Sequence, residues 1–489
     1  MSEDYPIRVG TTEDFATVCG LLERVQFNEA EIARRLGVPL LTQVTIDDHP
    51  EDTSGANDTL SLLIGLFVHD REISAADLSS HLSPDEIAAL ERLGLLSNGR
   101  CPVCLCPVSN VYTISDRWTP RSESSGEAAA DIVYPAVVPN TRMFLDLLPR
   151  GACDSFLELC GGTGVAALLA ADECATHASA FDIAPRSTHF AEFARRLNGL
   201  DNMTTGTGDL YDPAGDATYD RIVAHPPYMP TLDPKYIFYS GGEDGEQVTR
   251  RVIEQAPKYL RPGGTLYCVA MASDREDAPL ERRIRQWLGP EEREFDVAVV
   301  VRRVATPEEL VTQTVMARRT DPEAAKRWLD FLRELKIIAF SYAAMIVQRK
   351  AAGREPFTVR RMKGDRTGRL EHDWLLAWET HAASDTTGEK ILGSRLRAMT
   401  GPDLRVINRL KDGHWTPVQF VLETEYPFKL DMRIEPWVGH LMASCDGKKT
   451  GADLFRQLMQ EEILQAQTQA ADFAGVLKIL VSGGFLQVC

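Results

Sequence analysis

Between residues 131 and 305, short apolar runs alternate with helical stretches. This alternation constrains the fold more than any other feature of the 489-residue chain. The runs lie at 155–159, 177–182, 203–207, 219–224, 264–270 and 295–302, and glycine or acidic turns punctuate them. Strands spaced by helices pair in parallel, so the pattern predicts an α/β, doubly wound sheet. The length allows about three domains at roughly 150 residues each, and the pattern sets their expected bounds at 1–125, 126–305 and 306–489.

The flanks read differently. Residues 1–125 are mostly helical, with an amphipathic segment from Phe15 to Leu22 and another from Glu29 to Leu36. Ser74 and Ser83 both precede helix starts, the second with Pro84 at its first turn and Glu86 three residues on. Residues 73–96 have the look of a short winged-helix or helix-turn-helix unit. A DNA-reading version should be basic, whereas 1–120 carries 8 Arg and no Lys against 19 acidic residues, a net −11. A structural or protein-facing role follows from that sign. A Ser/Glu/Ala-rich linker at 121–130 closes the region.

Residues 306–354 read as helical, with Trp328, Leu329, Leu332, Leu335 and Ile338 as the apolar face, and 418–423 with 428–434 as a hairpin. The end, 436–489, reads as helices followed by an apolar strand pair around Gly483-Gly484. Its Asp446-Gly447, Leu454, Phe455, Leu458, Leu477, Phe485 and Leu486 loosely resemble winged-helix units such as PqqD-like peptide-recognition domains. The resemblance implies dimerisation, a lid or peptide capture. A basic run (Lys350, Arg354, Arg360, Arg361, Lys363, Arg366, Arg369) either attracts an acidic peptide or nucleic acid or is a solvated face.

Composition bounds the partners. The net charge of −18 disfavours the broad phosphate-neutralising surface of a general nucleic-acid binder. No run approaches the ~20 apolar residues of a membrane span, and the acidic N-terminus lacks a signal-peptide pattern, so a cytoplasmic protein is expected. Ten cysteines are scattered along the chain. Cys101, Cys104 and Cys106 cluster, but no second ligand pair follows, so free thiols on a half-buried strand are expected and no metal.

The chemistry concentrates in Glu158-Leu-Cys160-Gly-Gly162-Thr-Gly164, a strand end, a glycine-rich turn and a helix start. Such a turn brings backbone close to a ligand and offers a helix N-terminus to polar groups. The strict GxGxxG is absent, because Cys160 occupies its first slot. Asp182 follows about 20 residues later at the next strand end, in Phe181-Asp182-Ile183, where a carboxylate can accept two ribose hydroxyls. The third strand ends in Gly208-Asp209-Leu210, the fourth in His225-Pro226-Pro227-Tyr228, and Arg261-Pro-Gly-Gly264 leads into the fifth.

In this order and spacing the segments resemble the class I S-adenosylmethionine (AdoMet)-dependent methyltransferases over about 170 residues. Within them the chain looks most like the HemK-like N5-glutamine methyltransferases and their amino-methylating relatives, with Thr141 in the Pro/Thr segment before the first motif and Ser240–Gly245 before a long helix. The resemblance implies a Rossmann-like sheet with AdoMet held by Thr141, Glu158, Cys160, Gly162, Gly164, Asp182, Ile183, Asp209 and Leu210. In it Glu158 faces the methionine end, Asp182 the ribose and Asp209 the adenine. Helix capping by Glu158 and Asp182, and a plain turn role for Asp209, are the bland alternatives.

It further implies catalysis by the residues at 225, 226 and 228, where the family has Asn or Asp, Pro and an aromatic residue. His225 is the departure. A neutral His can accept one hydrogen bond from a target nitrogen, act as a base toward another nucleophile such as an oxygen, or merely pack beside the site. The implied substrate is a nitrogen of a protein, peptide or small metabolite, with nucleic acid disfavoured by charge and a homodimer left open. The other class of reading is an inactive AdoMet-binding regulator or scaffold, with His225 as the lesion.

Overall fold

In the computed structural model, which describes residues 5–43, 57–117, 129–231, 236–316, 321–350, 353–383 and 387–489, the local signals of the N-terminal region act as their chemistry dictates. Ser74 caps the helix Ala75–His81, and Ser83 with Glu86 forms a reciprocal capping box on Pro84–Arg92. A hairpin follows, β1 (Val103–Val108) against β2 (Val111–Asp116). Cys104 and Cys106 share one face of β1 with sulfurs 3.4 Å apart. No cluster of three or more His, Cys, Asp or Glu among the described residues is placed to hold a metal. Most of the 121–130 linker lies outside the described residues.

All six expected runs are strands of one eight-stranded sheet. They are β3 (Cys153–Leu159), β4 (Ala175–Asp182), β5 (Met203–Thr207), β6 (Tyr219–Ala224), β7 (Leu260–Arg275) and β8 (Phe295–Ala305). Two further strands, β9 (Ile337–Arg349) and β10 (Thr358–Met362), complete the order β10-β8-β9-β7-β6-β3-β4-β5. Every neighbouring pair is parallel except those of β9, which runs antiparallel to β7 and β8. The helices Val165–Glu173 and Pro185–Leu197 cover one face, and Gln247–Tyr259 and Leu280–Leu288 the other. This is the α/β, Rossmann-like sheet the alternation predicted.

The helical expectation for 306–354 is corrected in its second half. Helices Pro307–Met316 and Pro322–Glu334 form, with Trp328 and Leu332 buried, but Ile337 opens β9 and Ile338 is 54% exposed. Ile337–Arg349 is buried on both faces for most of its length, so it reads as a continuous apolar run that periodicity cannot separate from a buried helix. Consequently a division at residue 305 would cut the sheet, which runs from residue 153 to 362.

Three residues of the basic run are corrected too, whereas Arg366 is exposed over the Tyr426 ring. Arg354 pairs with buried Asp296, Arg360 holds Asp274 through bonds of 2.6 and 2.8 Å, and Arg361 reaches Glu379 at 3.1 Å. These guanidiniums fasten β10 and the C-terminal region to the sheet, and they are neither a free binding face nor a solvated one.

Beyond residue 393 two small sheets form. β11 (Arg395–Ala398) lies between β15 (Asp446–Thr450) and β16 (Leu486–Val488), backed by helices Gly451–Gln460 and Ala470–Ser482. Where a strand pair around Gly483-Gly484 was expected, a helix end leads into the single strand β16. β12 (Asp403–Lys411), β13 (His414–Thr424) and β14 (Leu430–Ile434) make the other sheet, with β13 and β14 as the expected hairpin. No helix among the described residues is long and apolar enough to cross a membrane.

Candidate active site

Strand order reverses between β3 and β6, and in such sheets the crevice outside the carboxyl ends at that switch point is where ligands bind. The glycine turn lies there. Cys160 and Gly162 have φ of 55° and 54°, and Gly164, the N-cap of Val165–Glu173, has φ 71°. A Cβ on Gly164 would come 3.0 Å from the Ala191 Cβ, so both its φ and its packing call for glycine. Glu158 is buried, and its carboxyl accepts the Ala167 N–H at 2.8 Å, capping that helix. Burial pushes its pKa up to about 8 against the help of the helix N–H groups. Burial likewise raises the Cys160 thiol well above its ordinary range, which keeps it protonated.

Asp182 is the hinge of the turn. Its carboxylate accepts the Gly162 N–H and the Ala184 N–H, each at 2.9 Å, and thereby ties β4 to the loop after β3. The Ser187 side chain and the Ile183 N–H also donate to this carboxylate, while burial holds its pKa above the usual value. Ile183 beside it is 54% exposed. The Gly208 N–H donates to the Asp182 carbonyl at 3.0 Å, bringing the end of β5 alongside. There Asp209 is paired with Arg251 at 2.7 Å, and Leu210 takes a φ of 51°.

These residues fit a nucleoside with an amino-acid arm. Nothing lies within 4 Å of a Cβ built on Gly162, so the turn faces open space. Asp182 and the exposed Ile183 lie at and just past the end of β4, the strand beside β3, and Asp209 lies just past the end of β5, the next strand.

The end of β6 is built of rings. Phe144, on the helix Pro139–Leu147, stacks on His225 at 5.1 Å between centroids and 18° between planes. Tyr228 lies 5.7 Å from His225 and 5.4 Å from Tyr342 of β9, and the Tyr342 hydroxyl is 3.3 Å from His225 Nε2. The Asn140 side chain donates to the Tyr228 hydroxyl at 3.4 Å. Desolvation by these rings lowers the His225 pKa to about 4, so the imidazole is neutral at ordinary pH. Pro226 is buried. Thr141 sits in the first turn of the same helix as Asn140 and Phe144.

The 240–245 loop braces this wall. Gly241 donates to the Met229 carbonyl at 2.9 Å, and a Cβ on Gly241 would sit 2.4 Å from the Gly245 carbonyl oxygen and 2.8 Å from the Tyr228 Cα. Behind it Glu246, 1% exposed, accepts from Ser273 and from Arg283, and Arg275 lies 3.3 Å from its second oxygen.

Sequence reasoning singled out the strand-end residues of β3, β4 and β5 but missed Phe144, Tyr342, Arg251 and the Glu246–Arg283 pair. Asn140 and Phe144 lie in or beside the Pro/Thr segment, which was a usable signal. Tyr342 offered none, since its segment read as helix.

The Methyltransferase small domain family matches residues 136–294. The ribosomal protein uL3 glutamine methyltransferase of Bradyrhizobium diazoefficiens is 33% identical over 159 residues, 30% of this chain and 50% of the relative. The release factor glutamine methyltransferase of Geobacter sulfurreducens is 40% identical over 75 residues, 13% of this chain and 26% of the relative. The chain thus spans half or less of the length of these two curated relatives. A solved methyltransferase of Pyrococcus furiosus aligns over 47% of this chain and 95% of its own, at 18% identity and a TM-score of 0.29, a likeness too loose to bear on the site. The family match and the glutamine-methyltransferase relatives together support residues 136–294 as an AdoMet-dependent methyltransferase domain, similar to the HemK-like enzymes.

Proposed function

We propose that the chain transfers a methyl group to a nitrogen of a protein, with an amide of the glutamine type as the favoured acceptor. The relatives above are named for glutamine in a ribosomal protein and in release factors. AdoMet, when bound, supplies an electrophilic methyl on a sulfonium. Asp182 would take the ribose hydroxyls, Asp209 and Leu210 the adenine edge, and the Cys160–Gly164 turn, fixed by Glu158, the methionine end. Thr141 is proposed only as part of the helix that carries Asn140 and Phe144.

The observation that carries the reading is the neutral, ring-enclosed His225 at the end of β6, beside the open face of the glycine turn. Displacement needs the nucleophile held in line, and orientation supplies much of the acceleration. Tyr228 and Tyr342 offer flat walls to a planar amide. His225 and the Pro226 carbonyl offer hydrogen-bonding groups to its two ends. Which ring nitrogen faces the amide follows from Tyr342. If that hydroxyl donates to Nε2, Nδ1 carries the proton and His225 donates; the reverse tautomer accepts. Either arrangement orients the amide, and the proton that the nitrogen loses on taking the methyl passes to water rather than to this ring.

The same desolvation speaks against His225 as a base toward an oxygen nucleophile. An imidazole whose conjugate acid has a pKa near 4 is too weak a base to draw a proton from a hydroxyl at neutral pH. Substrate choice within proteins, a homodimer and a cytoplasmic site of action remain parts of the proposal.

The experiment is calorimetry with AdoMet and its demethylated product, followed by labelled-methyl transfer into lysate proteins and peptide mapping. Label on a glutamine amide supports the proposal. Cofactor binding without labelled product under any condition returns the chain to the regulator class.

A further inference from the structure

The ribbon of β12 and β13 takes no part in the site described above. Every residue of β12 is exposed, and β12 is the edge of its sheet, so one side of its backbone has no strand partner among the described residues. Side chains alternate between faces, and toward the tip, beyond a bulge after Ile407, the register separates apolar from cationic; Asp403 and Ile407 share the cationic face nearer the base. Val406 lies opposite Phe420 and Leu410 opposite Trp415 on one face; Arg409 lies opposite Thr416 and Lys411 opposite His414 on the other.

The apolar face is covered at the base, where Leu422 is buried and Leu404 approaches Gly439. Toward the tip it is bare: Trp415 is 71% exposed and Leu410 58%, and Val418, at the bulge and without a partner in β12, is 49% exposed. On the cationic face Arg405 is paired with Glu423, whereas Arg409 and Lys411 have no acidic partner among the described residues. The base is anchored to the sheet end that also bears the site, because the Lys429 N–H donates to the Met362 carbonyl at 2.9 Å, at the end of β10.

A bare edge, an apolar stripe and a cationic stripe on one ribbon restrict the occupant. A second copy pairing along the full strand about Ile407 would set Arg405 against Arg409, like charges directly opposite. Single-stranded nucleic acid would use the cations and Trp415, but neither Val406, Leu410 and Val418 nor the edge backbone. An extended peptide with acidic and apolar residues in alternation uses all three, by adding a strand to the sheet. We propose that the ribbon captures such an acidic, strand-forming segment of a partner protein along the β12 edge. This binding stands apart from methyl transfer and is measured without it.

The test is fluorescence anisotropy of the full chain with a labelled octapeptide alternating Glu and Val, its Lys/Val counterpart and a labelled uridine octamer. Binding of the Glu/Val peptide, weakened at least tenfold by Arg409→Glu with Lys411→Glu and again by Trp415→Ala, is the expected result. These positions are exposed, so an unchanged melting temperature confirms that the variants are folded. Three results overturn the proposal. They are no Glu/Val binding or binding unaltered by the variants, preference for the uridine octamer, and a dimer in sedimentation that Trp415→Ala dissolves.

Discussion

The two halves of the site are made by different means. On the β3–β5 side, each carboxyl is fixed by backbone N–H groups: Glu158 by Ala167, Asp182 by Gly162 and Ala184. On the β6 side the backbone is tied only beyond Tyr228, where Met229 pairs with the 239–241 segment, and the rings are fixed by one another. Phe144, His225, Tyr228 and Tyr342 meet from three elements and a loop spread over about 200 residues, and a buried ion pair behind the 240–245 loop braces them. The first half is set by local chain geometry and, in the function proposed above, would hold the cofactor. The second is set by tertiary packing and would be the half that receives the acceptor.

The comparison can be broken from the acceptor side first. Glu246→Ala leaves the buried Arg283 cation uncompensated, and breaking such a pair costs about 3–5 kcal/mol, read in urea unfolding. A loss below about 1 kcal/mol would mean that the ion pair does not brace the wall. Next, His225→Ala should lower turnover roughly 100-fold by misplacing the acceptor while AdoMet affinity, measured by calorimetry, stays within a factor of two. If AdoMet affinity falls with it, the two halves are not separable. His225→Asn restores the family residue and should raise transfer to glutamine peptides above that of the Ala variant.

On the cofactor side, Asp182→Ala should weaken AdoMet binding by about 1–3 kcal/mol, through loss of charge-assisted bonds to ligand and turn alike. Unchanged affinity would leave Asp182 as a helix cap only. The smallest effect is the pH signature, in which the halves have opposite signs. Glu158 keeps its proton to about 8, whereas the unfolded chain loses it near 4.5, so its share of stability declines as pH rises through that window. His225 resists protonation to about 4 against an ordinary 6.5, so its share is lost as pH falls from 6.5 toward 4. Glu158→Gln should flatten the alkaline limb of the stability profile and His225→Phe the acid limb.

Much of the first half was legible in the chain's consecutive residues. Cys160–Gly164, Asp182 and Asp209 each sit at a strand end, and a strand end followed by glycine or an acidic turn is a local pattern. The caps at Ser74 and Ser83 were readable for the same reason. Glu158 shows where such reading stops. Its position was plain, but its engagement with the Ala167 N–H depends on how the helix returns over the strand.

The β9 strand shows the deeper limit. Ile337–Arg349 is apolar on both faces because it is covered on both, and an evenly apolar run carries no period to distinguish strand from helix. With it went Tyr342, the partner of His225, and the length of the sheet. The basic run failed in the opposite direction: Arg354, Arg360 and Arg361 looked like a surface until Asp296, Asp274 and Glu379 arrived from distant segments. By itself the sequence determined the parallel sheet, the turn that suits AdoMet and the order of its strand-end carboxylates, since these are properties of short consecutive segments. Which rings enclose His225, which cations are neutralised and which strand is left bare at an edge were decided only in the tertiary structure, because burial and charge pairing belong to residues far apart in the chain.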